Sequence, residues 1–126
     1  MNTRDFALLK ALLLALMEED FVALWEVEAE VNSAEAGLTA ERKRERAVYG
    51  VRELLRRGWA RACWAADGDD EPATVPDDRI GEVLADDERW APAHPWEPGF
   101  RLAVTDAGER AFRQIDAGER DAGSPG

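Results

Sequence analysis

The sequence predicts an α+β chain, mostly α, organised as one domain. Three observations lead there. Apolar residues recur at helical spacing along several stretches, two short stretches alternate instead, and glycine, proline and acidic clusters separate them. A chain of 126 residues, 45% of them hydrophobic, suits one domain that buries roughly two-thirds of its unfolded surface.

The first helix is expected over 3–19, capped by Asn2 or Thr3, with Asp5 in its first turn. Phe6, Leu9, Leu13 and Met17 share one face, Leu8, Leu12 and Leu16 another, and Leu14 a third. A helix apolar nearly all round is either central or covered by a second subunit or segment. A minimal strand over 21–24 and a helix over 24–33 follow, with Leu24, Val27 and Val31 inward. Gly37 marks a turn, and Thr39 caps a third helix that runs to about Arg57 and stops at Gly58. Residues 59–65 read as a strand and 67–99 as an irregular excursion, acidic at first and proline-rich at its end, with a short acidic helix over 77–90. A second strand, 100–104, precedes a last helix capped by Thr105 and running to about Asp116. Domain boundaries are therefore 1–116, with an inserted segment at 67–99, and 117–126 as a disordered tail.

This order resembles the winged helix-turn-helix domain: a three-helix core, a small β-hairpin and a C-terminal helix. Two local stretches carry the resemblance. Val51-Arg-Glu-Leu-Leu-Arg-Arg-Gly-Trp59 looks like the end of a recognition helix turning through glycine into a wing strand. Leu102-Ala-Val-Thr-Asp-Ala-Gly-Glu-Arg-Ala-Phe112 looks like the second wing strand followed by the Thr-x-x-Gly helix start common in MarR- and PadR-like regulators. The chain departs from that pattern in its enlarged acidic wing: about thirty residues separate the two strands, and 67–88 hold ten acidic residues against one basic. The resemblance implies a binding module and leaves the bound partner open.

Formal net charge is -11, yet residues 39–61 carry eight basic residues against three acidic. Nearly all the basic residues are arginine, which binds carboxylate and phosphate equally well through its planar fork. The candidate binding face is the outer side of the 39–57 helix: Arg42, Arg46, Tyr49, Arg52, Arg56 and Arg57. Three occupants fit it: an acidic protein surface, a DNA major groove, or water around local ion pairs worth tenths of a kcal/mol each. Trp90 and Trp96 flank the proline-rich connector, either pinning it to the domain or offering a partner two aromatic anchors.

Other chemistries find little footing. Asp67, Asp69, Glu71 and Asp78 are spaced like a calcium loop, but Pro72 stands where the turning glycine belongs. His94 is the only histidine, which argues against zinc, and the only serines are Ser33 and Ser124, which argues against a Ser-His-Asp arrangement. No metal, cofactor or catalytic residue is expected. The lone Cys63 predicts a reducing, cytoplasmic setting, and no stretch is apolar enough for a membrane helix or a signal peptide. The leading expectation is a homodimeric module that mediates protein–protein interaction. The alternative is a DNA-binding transcriptional regulator using helix 39–57.

Overall fold

Asn2 opens the chain's first helix, its side chain accepting from the Asp5 backbone N–H at 2.8 Å. The structure is a computed structural model and describes residues 2–66, 70–94 and 96–123. Helix α1 (Thr3–Glu18) buries Leu8, Leu9, Leu12, Leu13 and Leu16 and leaves Phe6 and Leu14 exposed. After strand β1 (Val22–Ala23), helix α2 (Leu24–Ala34) begins where the Glu26 carboxylate accepts from the Ala23 N–H at 3.1 Å. Val27 and Val31 face inward. Thr39 caps helix α3 (Ala40–Arg56) by accepting from the Arg42 N–H. Ala47, Gly50, Val51 and Leu54 form its buried side, and a Cβ on Gly50 would stand 2.5 Å from Leu12, so α1 and α3 meet closely there. Gly58, at φ +72°, closes α3, as its place in the sequence predicts.

Strands β2 (Ala60–Ala65), β3 (Ala73–Thr74) and β4 (Gly99–Val104) join β1 in an antiparallel sheet of order β1-β4-β2-β3. Opposed pairs Val22–Leu102 and Ala62–Leu102 turn one face of the sheet toward the helices, where all three residues enter the core. Trp64 meets Phe100 edge to face at 6.0 Å on the same side. Helix α5 (Asp106–Gly123) starts at a tight junction. The Thr105 hydroxyl donates to the Gly58 carbonyl at 2.6 Å and accepts from the Gly108 N–H at 3.0 Å, while the Thr105 N–H donates to the Trp59 carbonyl. The corner after α3 and the start of α5 thus form one hydrogen-bonded unit.

The mostly helical α+β class stands, with corrections at two places. Helix α5 does not end near Asp116 but continues to Gly123, into the stretch expected as a tail; 124–126 lie outside the described residues. Lys10 of α1 forms ion pairs with Asp116 and Glu119, which fastens the added turns to α1. The insertion is also more ordered than its composition predicts. It holds β3, helix α4 (Asp77–Ala85) and a 3-10 turn, Asp87–Trp90, where a single helix over 77–90 was expected. Asp86 divides the two because its backbone is extended and its carboxylate accepts from the Glu88 N–H, a bond that starts a new turn. Val75, Ile80, Val83, Leu84 and Trp90 all join the core, so the insertion is built into the domain.

Candidate functional site

Helix α3 carries its charged face opposite the stripe that packs on α1, and the structure sorts that face into committed and uncommitted groups. Arg46 is committed. Its guanidinium lies 2.9 Å from Asp5 of α1 and 2.8 Å from Glu35 at the end of α2, and it rests 5.1 Å from the Tyr49 ring. Hydrogen bonds from Arg46, and then from Arg4, hold the Glu35 carboxyl below its ordinary range. Tyr49 stands beside this cluster, and burial followed by the nearby Asp5 charge pushes its hydroxyl pKa up. Arg46, expected on the binding face, thus ties three helices together.

Arg56 and Arg57 share Glu53, at 2.6 and 3.1 Å, and Arg57 also lies over the Trp59 ring at 4.9 Å. Hydrogen bonding from Arg56, then Arg57, draws the Glu53 carboxyl down to about 2. A depressed carboxylate stabilises the fold above its unfolded pKa, near 4.5, and loses that contribution as pH falls through the folded value. The stability deficit of Glu53→Gln should accordingly be full at pH 7 and fade between about pH 4.5 and 2, as thermal melts of both proteins across that window would show. A deficit independent of pH would contradict the assignment.

Arg44, which the sequence reading left out of the site, proves central to its architecture. It pairs with Glu28 of α2 at 3.3 Å and with Asp87 of the 3-10 turn at 3.1 Å, and its guanidinium stacks 4.4 Å from the Trp90 ring. Trp90 is buried, and its indole N–H donates to the Leu84 carbonyl at 3.0 Å. Of the two roles the sequence offers for Trp90, the structure fits the pinning one: it holds the insertion against α2 and α3. Trp96 is placed otherwise. It is 67% exposed and stacks on His94 with centroids 4.3 Å apart.

Arg42 and Arg52 remain. Both are exposed, and among the described residues neither enters an ion pair. Arg52 borders an open groove of about 520 Å³ between α3 and α4, with Tyr49 and Leu55 on one wall and Asp77, Ile80 and Gly81 on the other. Gly81 lies in the interior of α4, where glycine costs about 1 kcal/mol against alanine. Its missing side chain keeps that wall low, and a Cβ there would come 3.9 Å from the Arg52 guanidinium.

Elsewhere, Arg101 in β4 is buried and donates to the carbonyls of Phe100 and Glu97, holding the connector onto the sheet. A charged residue in a central strand gives no sign in sequence of being buried. Cys63 is buried beside it, its thiol donating to the Arg101 carbonyl. Among the described residues no cluster of three His, Cys, Asp or Glu is placed to hold a metal ion, and no helix is long and apolar enough to cross a membrane. Asp67 and Asp69 of the calcium-like spacing lie outside the described residues.

Compared with known proteins, the chain matches no family model, and no curated protein or solved structure matches it with significance.

Proposed function

We propose that this chain is a non-enzymatic binding module of the winged-helix kind whose α3 face meets a protein partner. The strand order β1-β4-β2, with β1 between α1 and α2 and with α3 running directly into β2, supports the fold reading. The observation that carries the functional reading is the position of the insertion. Helix α4 stands alongside α3 across a shared groove, and the segment 77–89 bears six acidic residues against two basic. A duplex laid on α3 would bring its phosphates against that acidic wall. The cations left to neutralise them are few, because Arg44, Arg46, Arg56 and Arg57 already hold carboxylates of this chain. An acidic wall beside two arginines that enter no ion pair among the described residues suits a partner that presents both charge and apolar surface.

The second reading, a DNA-binding transcriptional regulator, draws support from those same two arginines on the outward stripe of α3. Fluorescence anisotropy with random-sequence duplex DNA separates the two. The protein reading predicts no binding at 50 mM salt. Binding that falls steeply by 200 mM salt and vanishes when Arg42 and Arg52 are both changed to Ala would replace it with the DNA reading, since counterion release produces that slope.

Two further features belong to the proposal. Exposed Phe6 and Leu14 on α1, beside α5, fit pairing of two copies. Sedimentation velocity should then find a dimer that Leu14→Asp converts to monomer; a wild type that stays monomeric at high concentration removes this part. The lone buried Cys63 fits a reducing, cytoplasmic setting, which localisation of a tagged protein would check.

A further inference from the structure

The groove between α3 and α4 differs from the rest of the arginine face in having both an apolar lining and an unanswered charge. Leu55 and Ile80 supply the lining, together with the Tyr49 ring. Arg52 supplies the charge, since it borders the groove and takes part in no ion pair among the described residues. Glu53 and Arg56 also line the α3 side, but they pair with each other, so the α3 wall keeps the net positive charge of Arg52 while Asp77 makes the α4 wall negative. A ligand carboxylate is favoured on one side only, which fixes the occupant's orientation as well as its charge. Arg42, the other arginine of α3 that enters no ion pair among the described residues, lies ten residues before Arg52, roughly 15 Å along the same helix at 1.5 Å per residue. A helical segment of about eleven residues spans both.

We infer that this groove docks an acidic amphipathic helix of a partner protein, which sets carboxylates on Arg52 and Arg42 and an apolar face on Leu55 and Ile80. Gly81 is the feature that makes room. Partly exposed inside a helix, it forgoes stability that alanine would supply, and it lets the incoming backbone approach α4 closely. A solvated face needs neither a cleft nor a glycine in its wall. This inference rests on the protein reading above and deepens it by naming where the partner sits and what it presents.

The test is selection of a random, phage-displayed library of twelve-residue peptides on the full chain. Selected peptides are then measured by fluorescence anisotropy against wild type, Arg52→Glu and Gly81→Leu. Arg52 is exposed, and a Cβ on Gly81 would meet only the movable end of the Arg52 side chain at 3.9 Å, so both variants should keep the wild-type melting temperature, and leucine is the better helix former. The expected result is enrichment of sequences that combine Asp or Glu with aliphatic or aromatic residues, each losing at least tenfold in affinity to either variant. Enriched peptides that bind both variants as tightly as wild type would overturn the groove assignment while leaving the protein reading in place. Failure to enrich any peptide, or enrichment of basic ones, would overturn the inference as well. Duplex binding lost in the Arg42, Arg52 double variant would instead mark failure of the protein reading itself.

Discussion

Gly108→Ala should destabilise the chain by about 3 kcal/mol, near the upper end of the range for an inserted methyl. A Cβ at that position would stand 2.1 Å from the Trp59 carbonyl oxygen and 2.9 Å from the Val104 side chain. The first obstacle is backbone, and it cannot rotate aside as a side-chain end can. It is moreover fixed in place, because the Trp59 carbonyl accepts from the Thr105 N–H and the Gly58 carbonyl accepts from the Thr105 hydroxyl. Accommodating the methyl therefore means lifting the start of α5 away from the corner that ends α3. The helix-propensity gain of alanine, about 1 kcal/mol, is smaller than that cost. Urea unfolding of the two proteins measures the difference directly. A loss under 1 kcal/mol would mean that the junction gives way easily and that the close approach has little structural weight. The control is Gly118→Ala, farther along α5, where nothing stands within 4 Å and the change should be neutral or stabilising.

Arg46→Ala should cost about 2–3 kcal/mol, and Arg42→Ala less than about 0.5 kcal/mol. The two arginines lie four residues apart on one helix, yet their surroundings differ. The Arg46 side chain is 16% exposed and faces Glu35 and Asp5, themselves 10% and 19% exposed, so its removal leaves Asp5 without an ion-pair partner among the described residues and Glu35 with Arg4 alone. Residual solvent access keeps the penalty below that of a fully buried pair. The deficit should also shrink in acid. Glu35 is held below its ordinary range in the folded protein, so its pairing stabilises the fold above the unfolded pKa and is lost as pH falls through the folded value. Denaturation of both variants at pH 7 and in mild acid checks both points. Equal costs for the two arginines would show that the division into structural and free cations is wrong.

That division marks the limit of what the sequence could reveal. Thr39, Gly58 and Thr105 announce their roles locally, because a cap or a left-handed closing residue is written within a few positions, and each sits where it was expected. Arg42 and Arg46 look alike by the same local rules, since both are basic and both lie opposite the apolar stripe of α3. What separates them is Asp5, brought from a different helix by the packing of α1 on α3, together with Glu35 beyond a turn. Trp90 was ambiguous for a related reason. Neighbouring prolines make its segment read as connector, whereas its burial depends on Leu84, on the stacked Arg44 and on an ion pair to Asp87. The groove is more distant still from local pattern, because Gly81 gains meaning only once α4 is laid beside Arg52. In the sequence it is one glycine in a short acidic helix.

The class of molecule that contacts α3 in the cell is the point on which the account turns. Glu45 lies on the outward stripe of α3, exposed and outside any ion pair among the described residues, so a photoreactive benzoylphenylalanine can replace it without disturbing the fold. Irradiation of cells that naturally express the protein, followed by separate protease and nuclease digestion of the cross-linked product, identifies that molecule. The expected product carries a second polypeptide, is unchanged by nuclease, and disappears when Arg52→Glu is added. A product that nuclease degrades and that Arg52→Glu abolishes would contradict it and make α3 a nucleic-acid-reading helix.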